Sequence, residues 1–192
     1  MHSFYKELIP LWLIIAIVFI QQLGQAQDKA PKDYAVHFGY AHHLRLPFEN
    51  TAVDGLSVEL DHSWQLSGFN GGRKAYITVP LGYKYFIPRK NGVDNARILF
   101  YGWKVRHELK KGNPNWQPFL GYALLLDQLW LDGRKGNTIG HETRFTIGVD
   151  RRIKGKLAYI FSLDYSYTRF PLLDVKKAPK AMLVGLKMGL RF

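Results

Sequence analysis

The stretch Leu56-Ser57-Val58-Glu59-Leu60-Asp61-His62-Ser63-Trp64-Gln65-Leu66 places an apolar or amphipathic side chain at every second position, with Ser, Glu, Asp, Ser and Gln between them. Successive side chains of an extended strand point to opposite faces, so a period of two predicts a strand with one greasy and one polar face. The pattern recurs along the chain. It predicts strands near Tyr34–His43, Leu56–Leu66, Lys74–Ile87, Arg97–Leu109, Gln117–Trp130, His141–Ile153, Leu157–Arg169 and Ala181–Phe192. The apolar faces are long: Leu120, Tyr122, Leu124, Leu126 and Trp130 in the fifth strand, and Leu157, Tyr159, Phe161, Leu163, Tyr165 and Tyr167 in the seventh. The eighth carries Met182, Val184, Leu186, Met188, Leu190 and Phe192.

Connections alternate in length. Leu44–Gly55, Pro88–Ala96, Leu131–Gly140 and Phe170–Lys180 form a longer set, and Ser67–Arg73, Lys110–Trp116 and Lys154–Lys156 a shorter one. Even strand number, short turns on the side of the termini and longer loops opposite are the plan of a bacterial transmembrane barrel, with turns in the periplasm and loops outside. Sixteen strands of about 10 residues would consume about 160 residues, leaving almost nothing for turns, so a large porin does not fit. The expected fold is therefore all-β: an eight-stranded antiparallel up-and-down transmembrane β-barrel behind a cleavable signal helix.

The leader reading rests on a lysine at position 6, an apolar run from Leu8 to Ile20 and the small residues Gly24 and Ala26, which predict cleavage after Ala26. The alternative is a retained anchor, but the run falls short of the roughly 20 apolar residues that cross a bilayer. The expected organisation is a signal peptide over 1–26 and one barrel domain over 27–192. With no cysteine in the chain, a lipoprotein anchor is excluded.

Alternation alone also suits a soluble barrel of the lipocalin type, turned outside in, with the apolar face lining a ligand cavity. Aromatic residues near strand ends (Tyr40, Trp64, Tyr85, Trp130, Tyr167, Phe192) favour the membrane, where aromatic girdles mark the interfaces. Trp103, in mid-strand, reads as lipid-facing bulk.

The polar faces then point inward. They carry the acids Glu59, Asp61, Glu108, Asp127, Glu142, Asp150 and Asp164 and the bases Lys84, Lys104, Arg106, Arg144, Arg152, Lys187 and Arg191. An eight-stranded barrel has room only for its own side chains, and an unpaired ion confined there costs several kcal/mol. A balanced set predicts a plugged, ion-paired interior without a conducting pore. Gly82, Gly102, Gly121, Gly148, Gly185 and Gly189 are expected to leave room for the long charged side chains.

The net charge of +12 must then lie at the two ends. Basic residues of the long connections (Arg45, Arg89, Lys90, Arg97, Arg134, Lys135, Arg169, Lys176, Lys177, Lys180) suit the phosphates of lipopolysaccharide, and solvated loop charge is the plainer alternative. Nucleic acid is not an expected partner.

With leader, eight strands and the final strand Val184-Gly185-Leu186-Lys187-Met188-Gly189-Leu190-Arg191-Phe192 in place, the chain resembles the small outer-membrane barrels of Gram-negative bacteria, the OmpA- and OmpX-like group. The resemblance implies residence in the outer membrane and insertion by the barrel-assembly machinery, which reads a terminal aromatic preceded by alternating apolar residues. It implies no activity. Some barrels of this size edit lipid A, and their deacylase group carries a His-x-Ser pair on a late strand with a Glu on the next. Here the corresponding stretch is Asp164-Tyr165-Ser166, and Ala181–Phe192 holds no Glu, so Ser166 lacks its base. His141-Glu142, His62-Ser63 and His42-His43 are adjacent pairs pointing to opposite faces, so none forms a dyad or metal pair by itself. The expectation is a non-enzymatic envelope barrel with a structural, adhesive or surface-interaction role, with no catalytic, cofactor or metal residues. The alternative is a lipid A-modifying enzyme with a site the sequence does not reveal.

Overall fold

The computed structural model of the chain describes residues 32–45, 52–66, 73–88, 95–112, 114–131, 137–155, 157–170 and 180–192. The leader over 1–26, the stretch after it to Pro31 and most of the long-connection residues lie outside the described residues.

Eight strands form one closed antiparallel barrel in chain order. They are β1 (Lys32–Arg45), β2 (Asp54–Leu66), β3 (Ala75–Phe86), β4 (Ala96–Glu108), β5 (Trp116–Leu131), β6 (Asn137–Lys154), β7 (Leu157–Arg169) and β8 (Lys180–Arg191). All eight predicted strands are present. The largest differences are at the loop end, where Asp54, Gly55 and Asn137–Gly140 belong to strands and not to connections. The barrel closes between β1 and β8, and the ladder continues to the last residue, where Tyr34 and Phe192 exchange both backbone hydrogen bonds at 2.9 Å. Closure satisfies the strand edges that an open sheet would expose.

The outer wall is apolar. Leu124 and Leu163 are 44% and 46% exposed, and Phe38, Leu60, Phe145, Ile147, Leu186 and Met188 are exposed with them. The charged positions face inward, and all seven predicted interior acids are buried. A soluble barrel would have the reverse arrangement, so this is a transmembrane barrel.

The lumen has two layers. Toward the long connections, Ala41, Ala52, Phe86, Ala96, Ile98, Leu129, Leu131, Phe170, Ala181 and Leu183 form one buried apolar cluster. Below it, through mid-barrel to the turn end, the filling is ionic around two smaller apolar clusters, Phe100 with Ala123 and Leu125, and Phe119 with Ala35 and Ile160.

Candidate functional site

Each strand contributes to the ionic filling, because each places alternate residues inward at a height fixed by the register. Glu59 stands opposite His37 on β1 and Gly82 on β3. Its Oε1 accepts from Lys104 Nζ at 3.0 Å, and its Oε2 accepts from Arg144 Nη1 at 2.7 Å and from Lys187 Nζ. Arg144 donates through Nε to Glu142 at 2.7 Å, and Lys84 donates to the other oxygen of Glu142, also at 2.7 Å. Lys187 also reaches Asp164 at 2.6 Å, and Lys104 also donates to Asp61. Nearer the turns, Asp150 is held by Arg106 and by Arg191 at 2.8 Å, and Glu108 by Tyr76 Oη at 3.2 Å.

The expected pairing is thus present, with two corrections. Arg152 is only half-buried, at the turn end, and not enclosed in the lumen with the other six expected cations. Among the described residues Asp127 has no ion pair and instead accepts from Thr168 Oγ1 at 3.0 Å. The glycines are also used differently. A Cβ at Gly82 would lie 2.2 Å from the Phe100 ring, and one at Gly148 2.4 Å from the Phe119 ring, so these positions seat aromatic rings and not ion side chains. Cations lie over those rings. Arg144 and Lys84 stand 4.4 and 4.9 Å from the Phe100 centroid, and Arg106 stands 4.0 Å from that of Phe119. Each such contact adds roughly 0.5–2 kcal/mol to the Coulombic attraction. Gly185 meets neighbouring atoms only at ordinary contact distances.

His37 was not singled out from the sequence. Its Nε2 lies 3.1 Å from Asp61 Oδ2, and one ligand atom from each of His37, Glu59 and Asp61 falls within 4.8 Å of the others. That spacing would suit a metal ion, but Lys104 Nζ contacts both carboxylates. An ammonium already neutralises the position, and a divalent ion would have to displace it against Lys187 and Arg144. A cavity of about 20 Å³ beside this group, lined by His37, Asp61, Lys104, Arg106 and Asp164 among others, is large enough for about one water.

The histidine pairs divide between faces as expected. His43 is buried inside, with Nδ1 3.0 Å from the Ala52 carbonyl and its ring 4.1 Å from that of Phe86. His141 is exposed on the outer wall, while Glu142 is inside. His62 stacks outside between Tyr34 and Trp64, at 4.6 and 4.2 Å between centroids, while Ser63 Oγ pairs with Thr78 Oγ1 at 2.8 Å. Ser166 and Asp164 are both buried in the lumen, and Asp164 accepts from Thr146. Ser166 is thereby shut away from any lipid substrate.

One outer cluster was missed. His42 Nδ1 lies 2.7 Å from Asp54 Oδ1, and Tyr40 Oη donates to the same oxygen. From the alternation Asp54 belongs to a loop, which hides the cross-strand pair His42–Asp54 that the ladder forms. When Nδ1 carries the proton, His42 Nε2 is left as an acceptor at the loop-end rim. The ladder partners of His42 are Asp54 and Val184.

No family model and no curated protein matches the chain. Among solved structures, it superimposes on Neisserial surface protein A (NspA) with a TM-score of 0.63 at 12% identity, covering 85% of this chain and 98% of that one. The fold is that of a small outer-membrane β-barrel. A further similar structure to this barrel is the N-terminal β-barrel domain of Pseudomonas aeruginosa OprF, with a TM-score of 0.48 at 10% identity, covering 85% and 100%. The outer-membrane enzyme PagL gives 0.48 at 12%, covering 83% and 98%. The chain therefore has the fold of the small barrels that the sequence pattern resembles.

Proposed function

We propose that this protein is a non-enzymatic integral outer-membrane barrel that conducts nothing and works through its outer surface, in envelope integrity, adhesion or surface interaction. The observation that carries this reading is the doubly closed lumen, with an apolar cluster above a neutralised ionic layer. With the interior shut, the surfaces left for function are the wall and its two rims. At the loop-end rim Arg45, Arg169 and Lys180 are exposed, and Arg169 stands directly opposite Lys180 in the ladder. Like charges placed opposite each other are unfavourable without a counter-charge, and the phosphates of lipopolysaccharide are the anions present at that surface. Assembly by the barrel machinery, reading the strand that ends in Phe192, belongs to the same proposal.

Deleting the gene should raise sensitivity to apolar dyes and detergents while leaving the lipid A mass spectrum unchanged. Unchanged permeability with altered lipid A would reverse the reading. That second outcome belongs to a lipid-modifying hydrolase, which the His42–Asp54 pair favours, since an imidazole oriented by a carboxylate is half of a hydrolytic site. In that case His42→Ala should reproduce the deletion spectrum.

A further inference from the structure

The turn end of the barrel carries a second charge feature, independent of the lumen and of the loop rim. Lys32 begins β1, Arg73 precedes β3, Lys110 and Lys111 lie in the β4–β5 turn, and Arg151 lies on β6, all of them exposed. They are spread around the circumference and do not crowd one strand. Asp33, beside Lys32, is half-buried and takes the inward-facing parity of β1 with Ala35 and His37, opposite Ser63. The other acids of this end, Glu108 and Asp150, are buried inside and already held by Arg191, Arg106 and Tyr76.

The height of these cations is set by aromatic neighbours. Lys32 stands opposite Trp64 in the ladder, beside the stack of Tyr34, His62 and Trp64, and the Phe192 ring lies 6.3 Å from that of Tyr34. Arg151 stands opposite Trp116, with its guanidinium 5.2 Å from the indole centroid. Amphipathic rings sit at headgroup depth. Cations level with them or just beyond therefore lie where lipid phosphates are.

We propose that the turn end is an annular site for anionic phospholipid, in which Lys32, Arg73, Lys110, Lys111 and Arg151 take the headgroup phosphates of the leaflet on that side. A zwitterionic headgroup supplies the phosphate but brings its own ammonium into the same ring of cations, so the net attraction falls to the anionic lipid. The ring holds the lower girdle at fixed depth through lipid contacts distributed round the barrel.

Trp116 reports on this site. The full chain, with every other tryptophan replaced by phenylalanine, is refolded into vesicles containing phosphatidylglycerol or phosphatidylcholine brominated on the upper acyl chain. Quenching of Trp116 should be severalfold more efficient with brominated phosphatidylglycerol, and the preference should vanish at high salt, since exposed charges are screened. Lys110→Gln/Lys111→Gln, whose side chains are exposed, should lose most of the preference, and adding Arg73→Gln should lose more. The loop-end variant Arg45→Gln/Arg169→Gln/Lys180→Gln should keep it. Heat-modifiable gel mobility checks that each variant is folded. Equal quenching by the two lipids would overturn the proposal, as would equal loss in the turn-end and loop-end variants, which would show that total charge and not its position is read.

Discussion

The two layers of the lumen close the same tube by opposite chemistry. At the loop end, Phe86, Ile98, Leu129, Leu131, Phe170 and Leu183 fill the section with apolar volume around the buried His43. In mid-barrel the section is filled by Glu59, Arg144, Glu142, Lys104 and Lys187, whose closure depends on each charge finding its partner. An apolar plug weakens gradually as volume is removed. A buried ion network fails abruptly, because removing one member leaves the others uncompensated. The ionic layer is thus the more fragile of the two and the more specific in its register.

The largest effect should come from the hub of that layer. Glu59→Ala leaves Lys104, Arg144 and Lys187 with fewer counter-charges and is expected to cost about 3–5 kcal/mol. Urea unfolding in detergent would measure it, and a loss no larger than that of an exposed loop substitution would dissolve the distinction between the layers. Next come Leu124→Arg and Leu163→Arg on the lipid face, each costing about 2–4 kcal/mol near mid-membrane. Normal insertion of both would reverse the inside–outside assignment.

Gly82→Ala asks whether the rings in the ionic layer are seated as tightly as the plug. The added methyl meets Phe100 at 2.2 Å, so about 1–3 kcal/mol should be lost through overpacking. A neutral result would mean that Phe100 and the cations above it shift freely. The smallest effect on the finished fold belongs to Phe192→Ala, which removes the ring contact with Tyr34 and should cost roughly 0.5–1.5 kcal/mol. In cells the same variant should lower the amount of assembled barrel, if the last strand is read during insertion. Equal outer-membrane levels on immunoblots would remove that role.

How much of this was legible in the sequence follows from the same contrast. The ionic layer was readable because charge alternates with apolar residues in strands such as Leu56–Leu66, and period two assigns each residue a face. The plug was not. At the loop ends both faces are apolar, as in Leu129-Trp130-Leu131 and Ala181-Met182-Leu183, so alternation disappears and the inward residues are not marked by it. The His42–Asp54 pair was lost for a different reason. It depends on β2 beginning at Asp54, and strand boundaries are the least determined feature of a pattern reading. Gly82 and Gly148 were placed inside correctly, but their use as seats for Phe100 and Phe119 depends on cross-strand register, which no single strand encodes.

The most direct test of the closed lumen is electrical. Purified, folded protein incorporated into planar bilayers should give no stable current steps, and neither Leu129→Ala nor Glu59→Ala alone should open one, because each leaves the other layer in place. Reproducible open-channel steps from the wild-type protein would contradict the account and return the interior to the status of a pathway.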